Sequence, residues 1–187
     1  MKVLIISGSP NKDGLTEACA RAAELGTHEA GSEFTSVRLN DLNISNCHAC
    51  NNGFGTCKGK NSCQVEDDFQ ELHKLVGEMD AYIVITPVYW GDMSESSKTF
   101  FDRLRRCEAY NKGKNDFEGK PVICIAAAGG SGNGTITCLS SMERLFTHMR
   151  AEKFDFISIT KKTRNFKLET VRLSVEEMVS YLNKNPV

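Results

Sequence analysis

Five short apolar runs, each leading into a stretch of helical spacing, limit what this chain can fold into more than any other feature. Lys2 to Ser7 is apolar and β-branched and ends at Gly8-Ser9-Pro10, as a buried first strand does. Phe34 to Leu39 alternates, with Phe34, Ser36 and Arg38 on one side and Thr35, Val37 and Leu39 on the other. Ala81 to Thr86, Pro121 to Ala127 and Phe154 to Ile159 complete the set, and Pro87 cannot extend an interior ladder. Between them the sequence predicts helices over Thr16 to Leu25 (Gly26 as its stop), Asp68 to Val76 (Asp67 or Asp68 as its cap) and Ser94 to Arg106. Two more follow, at Thr135 to Met149 and Val171 to Leu182. The former places Ile136, Leu139, Met142, Leu145, Phe146 and Met149 on one face. Such alternation predicts an α/β fold, a parallel sheet covered by helices on both faces.

A length of 187 residues suits one domain spanning 1–187, with a cysteine-containing insertion at 40–66 and a polar connector at 110–120. The net charge of −1 leaves no positive field to hold nucleic acid or an anionic membrane. The apolar N-terminal run is too short for a signal-peptide core, and no stretch approaches a membrane-spanning length. A cytoplasmic location is therefore expected, where eight cysteines point to metal or redox roles rather than structural disulfides.

In a sheet of this kind, ligands bind beyond the carboxyl ends of the strands, so three loops carry the functional reading. The first runs from Ser7 to Thr16 and joins a strand to a helix N-terminus. Its free amides and the hydroxyls of Ser9 and Thr16 suit a phosphate. It is not a Walker loop: five residues separate Gly8 from Gly14, and Leu15 stands where that motif needs lysine. The second, Pro87 to Met93, offers Tyr89 and Trp90 as flat apolar surface, while Gly91 allows close backbone approach. The third, Ala128 to Gly134, lacks the gap of a dinucleotide fingerprint and sits after the fourth strand. Its small side chains suit the edge of a flat ring.

Together these loops resemble those of the NADPH-dependent FMN reductase and iron–sulfur flavoprotein group of the flavodoxin-like superfamily. The likeness rests on Gly-Ser-Pro-x-x-x-Gly-x-Thr at 8–16, Thr-Pro-Val-Tyr-Trp-Gly-x-Met at 86–93, Ser97 to Arg103, and Gly129-Gly130. It implies a three-layer fold with five parallel strands in the order 2-1-3-4-5. It also implies that Ser9, Asn11, Gly14, Leu15 and Thr16 bind the phosphate and ribityl groups of FMN. Pro87, Val88, Tyr89, Trp90, Gly91 and Met93 would line the isoalloxazine, with Gly129 and Gly130 at its far edge. A homodimer or homotetramer is the implied assembly.

Cys47-x2-Cys50-x6-Cys57-x5-Cys63 places four thiols in the polar, glycine-punctuated insertion, a set that suits either a [4Fe–4S] cluster or tetrahedral zinc. Free thiols or a disulfide are the remaining alternatives. The resemblance favours iron, although the gap before Cys57 is four residues longer than the family's usual one. His48, inside the motif, is expected to be a solvated loop residue. Cys19, Cys107, Cys124 and Cys138 fall on strands or helices and read as small buried hydrophobes. The spacing from Cys138 to Arg144 matches a phosphatase loop, but inside a helix the amides cannot cradle an oxyanion.

The function implied is an FMN-dependent, NAD(P)H-driven reductase of flavin, quinone or a similar small-molecule acceptor. Nicotinamide would stack on the exposed ring face and pass hydride to N5, so no catalytic side chain is named. The alternative is an iron–sulfur electron carrier fed by a ferredoxin-like donor.

Overall fold

The computed structural model describes residues 1–110 and 115–184; residues 111–114 of the polar connector lie outside the described residues. In chain order the strands are β1 (Lys2–Ser7), β2 (Glu33–Arg38), β3 (Ala81–Pro87), β4 (Pro121–Ala128) and β5 (Glu152–Thr160). The helices are α1 (Leu15–Glu29), α2 (Cys57–Lys60), α3 (Phe69–Gly77), α4 (Glu95–Glu108), α5 (Thr135–His148) and α6 (Arg164–Lys184). All strand pairs are parallel, and the order is β2-β1-β3-β4-β5, as the alternation and the resemblance imply. None of the described helices is long and apolar enough to cross a membrane.

The central strands are apolar on both faces because each face supports a separate core. Val3, Ile5, Ile83, Ile85, Ile123 and Ile125 pack against α1 and α6, with Cys19, Ala23, Val175 and Val179 among their partners. Leu4, Ile6, Tyr82, Val84, Val122 and Cys124 face the other way, toward Phe69, Phe100, Phe101, Leu104, Met142 and Phe146 of α3, α4 and α5. Period-two alternation within each strand thus divides one apolar run between two cores.

Three details depart from expectation. Gly26 does not stop α1, which runs on to Glu29. A Cβ at Gly26 would meet the Arg172 carbonyl oxygen at 2.4 Å, so this glycine permits the close crossing of α1 and α6. Gly26→Ala is therefore expected to destabilise the fold by about 1–3 kcal/mol through overpacking, read as a lower denaturation midpoint with an unchanged slope. Ile136 is 67% exposed, whereas Leu139, Met142, Leu145, Phe146 and Met149 are buried; Thr135 and Cys138 on either side of it are buried, so Ile136 lies off the packed face by its angular position on the helix. Pro87 ends β3 in register with Ala127, and the Val88 amide takes over the ladder by donating to the Ala127 carbonyl at 3.0 Å. A strand end tolerates the missing donor.

Candidate functional site

The chain leaves β1 for β2 on one side and later returns to β3 on the other, which opens a crevice beyond their carboxyl ends. The Gly8 amide prolongs the ladder by donating to Ile85 O at 2.9 Å. The loop then folds on itself: the Asn11 amide donates to Ser9 Oγ at 3.2 Å, and the Asp13 amide to Asn11 Oδ1 at 3.3 Å. Gly14 occupies the N-cap position of α1 and has no side chain with which to cap it. The first-turn amides are thus left for whatever lies in the crevice. Ser9 and Thr16 are buried beside them. Ser7 Oγ is buried with no hydrogen-bond partner among the described residues, a costly state unless something else supplies one. Arg21 and Arg164 line a cleft of about 270 Å³ with Asp13, Gly14 and Glu17. Uncapped amides, hydroxyls and two guanidinium groups make this corner suited to an anion.

Beyond β3 the chain makes a two-residue hairpin in which Tyr89 and Asp92 exchange backbone hydrogen bonds of 2.9 and 3.0 Å. Its tip residues, Trp90 and Gly91, have φ of 50° and 79°. A tryptophan held in the left-handed region costs on the order of 1–3 kcal/mol, and such strain concentrates at functional loops. The Trp90 side chain is fully exposed. The hairpin touches the glycine loop after β4: a Cβ at Gly134, whose φ is 82°, would lie 2.8 Å from the Gly91 Cα. Between the two loops lies a cleft of about 550 Å³ walled by Val88, Trp90, Gly91, Gly129, Gly130 and Gly132. Ser94 ties the crevice together. Its Oγ donates to Gly8 O at 2.7 Å, and its amide donates to Thr86 Oγ1 at 2.9 Å.

The residues expected to form the site therefore divide. Ser9, Asn11, Gly14 and Thr16 gather at the α1 terminus, while Val88, Trp90, Gly91, Gly129 and Gly130 share the ring-sized cleft. Tyr89 opens onto a neighbouring cleft of about 460 Å³ with Gly8, Pro10 and Asn46. Leu15 and Met93 point their side chains into the two cores, leaving only backbone to face a ligand. Sequence reasoning passed over Ser7, Arg164, Gly132 and Gly134. The last two stood in plain view in the glycine run.

Cys47, Cys50, Cys57 and Cys63 all line one small cavity, with His48, Arg103 and Arg106 in its wall. His48 is exposed, as expected. The loop is drawn around this cavity by tight turns: Ala49, Asn51, Asn52 and Asn61 all have positive φ. Its neck is closed by α4. Arg103 Nη1 donates to Ser45 O at 2.9 Å and Asp67 Oδ2 at 2.7 Å, and Nη2 donates to Val65 O at 2.9 Å. Gln70 Nε2 holds the Cys63 carbonyl at 2.9 Å, and Arg106 Nη1 holds Gly53 O at 2.7 Å. Asp68 is the N-cap residue of α3, but its side chain accepts from the Asn43 amide instead of capping the helix, while Asp67 accepts from the Phe69 amide at 3.0 Å.

Burial opposes the charge on Asp67, but hydrogen bonds from Arg103, Ser45 and the Phe69 amide overcome it and hold this carboxyl well below the ordinary range. Burial likewise opposes the charge on Arg103, yet Asp67 and Cys63 beside it keep its pKa above the usual value. The remaining thiols are inert: burial pushes Cys19 and Cys138 up to about 12, and Cys124 is raised by burial as well. Cys138 also lies within α5, so its spacing to Arg144 forms no anion cradle. Among the described residues, one set of three metal-ligand side chains has all its ligand atoms within 4.8 Å: His73, Glu108 and Asp116. No three of the four cysteine sulfurs make up such a set.

The model of the NADPH-dependent FMN reductase family matches residues 1–155. An iron–sulfur flavoprotein of Archaeoglobus fulgidus is 38% identical over 104 residues, which cover 56% of this chain and 46% of that protein. One of Methanosarcina thermophila is 34% identical over 137 residues, covering 72% of this chain and 66% of the relative. The chain thus matches between about half and two thirds of the length of these relatives. Among solved structures, an NAD(P)H:quinone oxidoreductase from Methanothermobacter marburgensis superposes with a TM-score of 0.76 at 20% identity, covering 95% of this chain and 96% of that one.

Proposed function

The chain belongs to the NADPH-dependent FMN reductase family, and on that premise we propose that it is an FMN-dependent oxidoreductase that draws electrons from NAD(P)H. The observation that carries this reading is the presence of two features beyond the carboxyl ends of the strands: an anion corner at an uncapped helix terminus, and an open cleft walled by glycines and an aromatic hairpin. The residues present fit FMN. Ser7 Oγ, buried and without a partner among the described residues, and the amides of Leu15 and Thr16 with the Ser9 and Thr16 hydroxyls would offer polar contacts to the phosphate and ribityl end. Asn11 and Gly14 complete that corner. A Cβ at Gly130 would meet nothing within 4 Å, so the cleft keeps open space at its glycine edge. Val88, Trp90 and Gly91 wall it opposite, and Pro87 sets the level at which the hairpin leaves the sheet.

Bound FMN would supply hydride acceptance from nicotinamide and return of electrons to an acceptor. The protein's part is to hold the phosphate end, shield one face of the ring with the hairpin and leave the other face open to the donor. No side-chain acid or base is needed. We further infer that Cys47, Cys50, Cys57 and Cys63 hold a [4Fe–4S] cluster. Their convergence on one cavity and their spacing suit a four-thiolate metal site, and the relatives named iron–sulfur flavoproteins favour iron over zinc. That feature favours a second role as an electron carrier with a ferredoxin-like partner.

Anaerobic mixing of the FMN-loaded protein with NADPH or NADH tests the reductase reading. Rapid flavin bleaching is expected; bound flavin that neither nucleotide bleaches would leave the carrier role in its place. Gly134→Ala is expected to weaken FMN binding by at least about tenfold, because its Cβ forces the glycine loop from the hairpin and its φ becomes strained. Quenching of flavin fluorescence on titration of apoprotein reads the change.

A further inference from the structure

We propose that Arg103 is the electrostatic partner of the group held by the four cysteines, presenting its free Nε–H to a sulfur and so setting that group's reduction potential. The inference rests on the reading that the cavity holds an iron–sulfur cluster, and deepens it. Arg103 is 1% exposed and is among the largest fully buried side chains. Two of its three nitrogens are spent on the neck of the loop, at Ser45, Val65 and Asp67. The guanidinium stacks 4.3 Å from the Phe69 ring, which fixes its plane. Nε alone is left, buried and without a partner among the described residues, in a side chain that forms part of the cysteine cavity's wall.

A buried, unpaired N–H on a cation is among the least tolerable polar groups in a protein interior. Its persistence beside four thiols is explained if a sulfur accepts from it once the site is filled. Hydrogen bonds to sulfur and nearby charge are the levers by which a protein tunes such a cluster. A fixed cation stabilises the form carrying the additional electron, so Arg103 raises the potential. Arg106 shares the wall but differs: its guanidinium is engaged by Gly53 O and lies 4.6 Å from the Phe54 ring. Arginine suits this position because its planar fork can close the neck with one edge and serve the cavity with the other; lysine, a point charge, cannot do both.

The test uses protein purified without oxygen, with iron and acid-labile sulfide measured first. Wild-type protein lacking both would overturn the cluster reading itself, and is thereby distinguished from failure of the present inference. In Arg103→Lys with iron and sulfide retained, the cluster's reduction equilibrium, titrated with dithionite, is expected to fall about tenfold, or 59 mV for one electron. Flavin content and flavin bleaching by NAD(P)H should stay as in wild type, because Arg103 is remote from those loops in the chain's wiring. Arg106→Lys should shift the potential much less. Wild-type protein labelled with 15N-arginine provides a measurement that needs no variant: pulsed EPR of the reduced cluster should show a nitrogen coupling. An unchanged potential in Arg103→Lys, or no such coupling in wild type, would overturn the proposal.

Discussion

Cys63→Ala is expected to abolish the broad visible absorbance and nearly all iron and acid-labile sulfide, while the flavin bands stay. Cys63 is held more firmly than the other three cysteines: its carbonyl accepts from Gln70, its neighbour Val65 is bound to both Gln70 and Arg103, and its thiol lies beside Arg103. Losing it leaves three thiolates around a cavity built for four, and opens the site where α4 closes it. The flavin should persist because Ser9, Thr16, Gly91 and Gly130 stand on other loops. Cys47→Ala should give the same loss from the exposed end of the loop. Cys124→Ala serves as the control. That thiol is fully buried within β4, so its removal should lower stability slightly and leave iron untouched. Elemental analysis with an absorption spectrum reads all three variants, and an unchanged spectrum in Cys63→Ala would count against the cluster.

Asp67→Asn is expected to cost about 3–5 kcal/mol, because it strands the Arg103 charge in the interior. For a chain of this size that corresponds to a fall in Tm of roughly 6–20 °C. Few surface pairs here could do this; Lys98 and Asp102 are both 45% exposed, and breaking them should change little. The same pair dictates a pH dependence. The Asp67 carboxyl titrates well below its unfolded value near 3.9, so as pH falls the unfolded chain takes up the proton first. The stabilisation is complete above about pH 5 and is lost as pH drops toward the native pKa. The stability gap between wild type and Asp67→Asn should therefore be flat from neutral pH down to about pH 5 and shrink in stronger acid. Urea denaturation across that range measures it.

Reading Lys2 to Ser7 or Pro121 to Ala127 as strands needed only composition and turn residues a few positions away, and both strands form there. The same holds for the phosphate corner and the glycine loop, whose features are backbone features written into Gly14, Gly91 and Gly129–Gly130. Gly26 was misread because its meaning lies in Arg172, on a helix at the far end of the chain. Ile136 was misread because it stands one residue, about 100° of helix, from Thr135, which faces the core in its place. The four cysteines announced a possible metal loop by spacing, yet the spacing could not choose between iron and zinc. The iron–sulfur flavoproteins among the relatives bear on that choice.

The order of apolar runs, their period and the punctuation of glycine and proline determined the alternating architecture and the three loops at its edge, since these depend on neighbours within about one helical turn. Tertiary structure alone decided which buried polar groups would lack partners and which charges would meet. Arg103 finds Asp67 across 36 positions, and among the described residues its Nε and the Ser7 Oγ at the end of β1 have no partner. Such pairings arise from packing between distant elements, where a side chain's surroundings are set by the whole fold rather than by its place in the sequence.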